Sequence, residues 1–150
     1  MRWHKLVQRD KDTGEVFFWV EMLVYKSRAS MVRGIKRTAK RAGSKPNKCN
    51  QEDYRGGIRG FTLYFPKPRV KGEKPPRQGC AFVFLNEDDM DHNVVVHELQ
   101  HAFMFVEKGL FDILGGCKRT SRSLLDVHEE ICCGMGGLVA GFWDWWENPE

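Results

Sequence analysis

Val94-Val95-Val96-His97-Glu98-Leu99-Gln100-His101-Ala102-Phe103 is the stretch around which this chain of 150 residues is organised. On an α-helix, residues four apart stand one turn above each other on one face. His97 and His101 would then aim both imidazoles at one point, with Glu98 beside them. Imidazole is a good zinc ligand, and a carboxylate next to a zinc site can take a proton from water. Val95, Leu99, Ala102, Phe103 and Val106 make an apolar stripe that would bury the opposite side of the helix. Asp88, Asp89 and Asp91 are candidates to cap its start, and Gly109 is expected to end it.

A catalytic zinc usually has three protein ligands and leaves a fourth position for water, so two histidines leave the set incomplete. Downstream, His128, Glu129, Glu130, Cys132 and Cys133 crowd one short segment. The small residues Gly134, Gly136, Gly137, Ala140 and Gly141 follow, and glycine is a poor helix former. So many in one apolar stretch imply close approach of a helix backbone to another element, and the helix of His97 and His101 is the obvious partner. On a helical wheel Glu129 shares a side with Gly136 and Ala140, while Ile131, Met135, Leu138 and Phe142 take the other side. Glu129 is therefore the favoured third ligand, with Glu130 and His128 as competitors.

Together these segments resemble small zincin-like metallopeptidases, frequent in phages and prophages and similar at the motif level to the ImmA/IrrE family. The resemblance covers about residues 80–143. It rests on Phe82-Val-Phe-Leu-Asn86, an acidic turn, the run from Val94 to Phe103, and His128-Glu129-Glu-Ile-Cys-Cys-Gly-Met-Gly136-Gly-Leu138. In that family a strand leads into the H-E-x-x-H helix, and a second helix supplies a glutamate followed by small residues three and seven positions on. Glu129 matches through Cys132 and Gly136. Cys132-Cys133 departs from the alanine and aromatic more usual there. The resemblance implies that the strand just before the metal helix is a sheet edge lying along the cleft, where an extended peptide could add by backbone hydrogen bonds.

The rest of the chain frames this centre. Its length fits a single domain over residues 1–150 with a real core. No apolar run reaches membrane-spanning length, and Met1-Arg2-Trp3-His4 is not followed by a signal-peptide core, so neither membrane contact nor export is expected. Five cysteines without a C-x-x-C pair point to reduced thiols in a cytoplasm, the host's if the gene is a phage's. Cys49, Cys80 and Cys117 are too widely spaced for a structural zinc set to be expected. The net charge of +4 hides an asymmetry: residues 26–48 hold nine Lys or Arg and no acid, whereas 86–150 hold thirteen acids against four bases. A basic block of this kind serves either as a solvated helix face or as a contact for nucleic acid.

Residues 3–9 and 15–25 read as strands joined by the turn Asp10–Gly14, the second apolar enough to be buried on both faces. Ser27 or Ser30 opens a basic helix reaching about Arg41. Its apolar side is thin (Met31, Ile35, Ala39), which places it on the surface. Phe61–Phe65 and Cys80–Leu85 read as two more strands, and Phe111–Thr120 as the connector between the two metal-bearing helices. The aromatic end from Phe142 to Trp146 reads as helix-end packing. The expected fold class is α+β: a minimal zincin-like fold, a small twisted sheet packed on the H-E-x-x-H helix and a second glutamate-bearing helix.

The expected function is zinc-dependent endopeptidase activity on a protein or peptide substrate. His97, His101 and Glu129 would hold Zn2+, and Glu98 would serve as general base. His128, His92, Tyr54 and Tyr64 are the side chains available to steady an oxyanion. The competing expectation is a catalytically silent, zinc-stabilised protein that binds a host protein, or nucleic acid through residues 26–48.

Overall fold

The first two strands, β1 (Arg2–Arg9) and β2 (Val16–Tyr25), pair antiparallel around the expected turn. The carboxylate of Asp10 accepts hydrogen bonds from the backbone N–H of Asp12 (2.7 Å) and Thr13 (2.9 Å). Those bonds, Thr13's first, hold the Asp10 carboxyl below its usual range. Gly14, at φ 71°, closes the turn in a left-handed conformation that suits glycine. In this computed structural model residues 1–10, 12–41, 58–65, 70–76, 79–113 and 124–149 are described, without the side chains of 64–65, 104–113 and 124–133.

Two further strands, β3 (Gly60–Phe65) and β4 (Cys80–Asn86), complete a four-stranded sheet of order β1-β2-β4-β3. β2 and β4 run parallel, and β3 is antiparallel to β4. The edge expected at the strand before the metal helix is thus not there. All seven residues of β4 are buried between two neighbours, and β3 takes the edge instead. The physical reason lies in the apolar run Cys80–Leu85, since a strand apolar on both faces is stable only inside a sheet covered on both sides.

Both faces are indeed covered. Phe18, Val20, Met22 and Val24 of β2 join Ala81, Val83 and Leu85 of β4 on one face. There they meet helices α2 (His92–Ile113) and α3 (Leu124–Glu147) through Val95, Leu99, Ala102, Leu138 and Phe142. Trp19, Leu23, Tyr25, Phe82 and Phe84 point to the other face, where helix α1 (Arg28–Arg41) covers them. Met31 and Ile35 are fully buried and Ala39 nearly so. The thin apolar side of α1 is therefore a second core layer, and only its basic side is surface. Ser27 starts α1: its hydroxyl accepts from the Ser30 backbone N–H, and the Ser30 hydroxyl accepts from that of Ser27.

Two boundaries differ from expectation. α2 runs through Gly109 to Ile113, so Phe111–Ile113 are helix rather than connector. One glycine costs a helix only about 1 kcal/mol, and apolar residues continue beyond it. At the end of α3 the aromatic cluster packs on β1 as expected. The Arg2 guanidinium lies 4.8 and 4.0 Å from the ring centres of Trp145 and Trp146, and His4 stacks on Trp145 at 4.9 Å. Among the described residues no helix is long and apolar enough to cross a membrane.

Candidate active site

The entrance to α2 is braced from three elements. Asn86, fully buried at the end of β4, donates to the Arg59 carbonyl (3.0 Å) and accepts from the Asp89 N–H (3.1 Å). Arg28, at the start of α1, grips Asp89 through two bonds of 2.8 and 2.7 Å. This grip is the main reason the Asp89 carboxyl lies below its ordinary range. Asp91 caps α2 by accepting from the Val94 N–H at 2.9 Å, and Arg59 binds its other oxygen at 2.7 Å. The capping bond first, then Arg59, lowers the Asp91 carboxyl. Of the three expected to cap α2 or stabilise its dipole, Asp91 caps it and Asp89 is a tether.

Held this way, α2 presents His97 and His101 on its exposed side. Their Nε2 atoms lie 3.0 Å apart, with the rings nearly perpendicular at 84°. Two Zn–N bonds of about 2.05 Å at a tetrahedral angle would separate the nitrogens by about 3.3 Å. The pair therefore needs only a small opening to take a zinc ion. Which ring donates across this contact depends on the tautomer of each.

Glu98, about 100° around the helix from His97, is 6% exposed. The Thr62 hydroxyl of edge strand β3 lies 2.7 Å from its Oε2 and 2.9 Å from its main-chain oxygen. Two residues earlier on that strand, Gly60 lies directly under the same side chain. A methyl group there would come within 2.7 Å of Glu98 Cγ and 3.1 Å of Cδ and Oε1. Sequence reasoning missed both Thr62 and Gly60. A glycine opening a strand is the one available signal, since it often marks close approach of another group.

The residues expected to supply a third ligand have side chains outside the described residues. Glu129, like Glu130, His128, Cys132 and Cys133, belongs to α3, with its side chain outside the described residues. Among the described residues no group of three or more His, Cys, Asp or Glu side chains is placed to hold a metal. Contrary to expectation, the close contact between α2 and α3 among the described residues does not fall at Gly136 and Ala140. Among the described residues Gly136 meets nothing within 4 Å, and Ala140 is exposed. Gly134 makes the contact instead: a methyl group added there would lie 2.6 Å from Phe103 Cζ, and Gly141 sits against Leu6. Among the described residues, Gly136 and Ala140 of α3 are exposed, as are the two histidines of α2.

Among the candidates for an oxyanion partner, His92 is exposed and stacks on Trp143 at 6.1 Å. Tyr54 and the side chains of Tyr64 and His128 fall outside the described residues. Of the cysteines, Cys80 is a buried thiol, while Cys49 and Cys117 fall outside the described residues. Burial, and secondarily the charge of Glu21, pushes the Cys80 thiol up to about 12. That places it among buried, unreactive thiols rather than nucleophiles.

The basic segment divides by position. Arg28 is committed to Asp89, while Arg33, Lys36, Arg37, Lys40 and Arg41 are exposed on α1. None of these five makes an ion pair with a described carboxylate. They lie across the sheet from the histidine pair, because α1 and α2 cover opposite faces. No protein family, curated protein or solved structure matches the chain.

Proposed function

We propose that the protein is a small zinc-dependent endopeptidase of zincin-like fold, encoded by a phage or prophage and acting in the cytoplasm. The observation that carries this reading is the pair of exposed Nε2 atoms 3.0 Å apart, with the intervening Glu98 buried and hydrogen-bonded to the sheet edge. Bound zinc would lower the pKa of its water to about 7 and polarise the scissile carbonyl. His97 and His101 would supply two ligands and Glu129 of α3 the third. Glu98 takes the proton of the attacking water and returns it to the leaving amine. A buried, hydrogen-bonded carboxylate supports this role better than a solvated one, because its position is set before substrate arrives. Edge strand β3, beside Glu98, is the strand on which an extended substrate would add. Glu98→Gln tests the reading: it should retain zinc and fold while abolishing peptide cleavage, and an unimpaired variant would reject catalysis.

A second reading has its own observation. Five exposed cations on α1 lack carboxylate partners among the described residues, and Arg33/Arg37, Lys36/Lys40 and Arg37/Arg41 are like-charge pairs four apart, each mildly destabilising to the helix. Contact with a nucleic-acid backbone would relieve that repulsion. A zinc-stabilised protein without turnover, holding a host protein or nucleic acid, would keep this surface and have no need of Glu98.

A further inference from the structure

We propose that Thr62, with Gly60, is the seat that positions Glu98, so that the general base is aligned by sheet edge β3 rather than by the metal or by α3. The inference rests on the peptidase reading for its purpose, but its geometry stands apart from it. Adjacent helical residues point about 100° apart, so Glu98 leaves the histidine side and meets β3. A carboxylate buried to 6% exposure needs donors, and among the described residues Thr62 is the one that supplies a hydrogen bond. Its single proton lies between Glu98 Oε2 at 2.7 Å and the Glu98 carbonyl at 2.9 Å. One hydroxyl thus stands within hydrogen-bond distance of both the side chain and the main chain of Glu98.

The strand is built for this. Phe61 and Leu63 pack with the α1-side core, so Gly60 and Thr62, by the two-residue period of a strand, face α2. Thr62 is β-branched and stiff at χ1, and it pairs with Val83 in the middle of β4, so its hydroxyl is carried on a rigid base. Gly60 leaves the space that the stem of Glu98 fills, and any larger residue would displace that stem. Thr62 touches neither water nor substrate in this scheme; it acts through Glu98 and is a positioning residue.

The test uses the full chain with Thr62→Val, which keeps the shape without the hydroxyl, and Thr62→Ser, which keeps the hydroxyl. In the zinc-free proteins, crystal structures should find the Glu98 carboxylate displaced from Gly60 in Thr62→Val and in place in Thr62→Ser. In the zinc-loaded proteins, acetohydroxamate is the probe, because it chelates zinc and hydrogen-bonds a carboxylate beside it. Thr62→Val should leave zinc affinity within about twofold yet weaken acetohydroxamate about tenfold, as loss of one aligned hydrogen bond would, and Thr62→Ser should recover most of it. Glu98 unmoved in Thr62→Val would overturn the proposal, as would unchanged acetohydroxamate binding. A wild-type protein that takes no zinc would reject the peptidase reading, while the zinc-free structures would still decide the seat.

Discussion

Gly60→Ala is the sharpest probe of how α2 meets the sheet edge. The added methyl would sit 2.7 Å from Glu98 Cγ, about 0.8 Å inside the ~3.5 Å at which two carbons rest. The struck atom is the stem of a buried side chain, so either α2 backs away from β3 or Glu98 swings out and abandons Thr62. Overpacking of this size typically costs about 1–3 kcal/mol. With a urea m-value of about 2 kcal/mol/M, the unfolding midpoint should fall by about 0.5–1.5 M. The measurement belongs in a chelator, so that metal binding adds nothing to stability. Glu98→Ala removes the struck atom, and in that background Gly60→Ala should be neutral or slightly stabilising, since alanine restricts the unfolded chain. The double-mutant cycle should therefore give a coupling of at least about 1 kcal/mol. Equal losses in both backgrounds would refute the proposed contact.

Three further outcomes follow from the geometry. Asp89 is held below the usual carboxylate range first by its hydrogen bonds from Arg28, so its contribution is present above its unfolded pKa near 4 and fades as pH falls through the folded value; urea midpoints of wild type and Arg28→Gln should differ at pH 7 and converge below about pH 4, and a gap that widens in acid would contradict this. Cys80, with its thiol pushed up to about 12, should react with iodoacetamide at pH 8 at least about a hundredfold more slowly in the native protein than in urea, followed by mass spectrometry of its peptide; equal rates would place the thiol at the surface. If α1 meets nucleic acid, Arg33→Glu with Arg37→Glu should weaken binding of a labelled DNA duplex more than tenfold and flatten the log-affinity against log-salt slope by about 2; unchanged binding would remove α1 from that role.

Periodicity and turn chemistry carried most of the architecture. The Asp10–Gly14 turn, the four strands and the Ser27 start of α1 are local signals, and each forms where its residues favour it. The strand order was not legible, because nothing within Cys80–Leu85 says which strands flank it. The two-faced apolar run of β2 implied a layer on each side, yet the thin apolar stripe of α1 hid its part in that layer. At the site, the four-residue spacing of His97 and His101 is a local fact and gave the facing imidazoles directly. Thr62 and Glu98 are 36 apart in sequence, so Thr62 carried no local signature of the contact, and the glycine that opens β3 was its one sign. The glycines of α3 did announce a close approach, but the wheel placed it at Gly136, whereas Gly134 makes the contact.

Zinc binding by the intact chain tests the central claim most directly, read by elemental analysis and by competition with a chromophoric chelator. The expectation is about one zinc per chain, lost in His97→Ala and weakened by orders of magnitude in Glu129→Ala, with Glu130→Ala costing at most about ten- to a hundredfold. Less than about a tenth of an equivalent after zinc-supplemented, chelator-free purification would contradict the metal site itself. An emptied Glu130→Ala beside a loaded Glu129→Ala would instead assign the third ligand to Glu130.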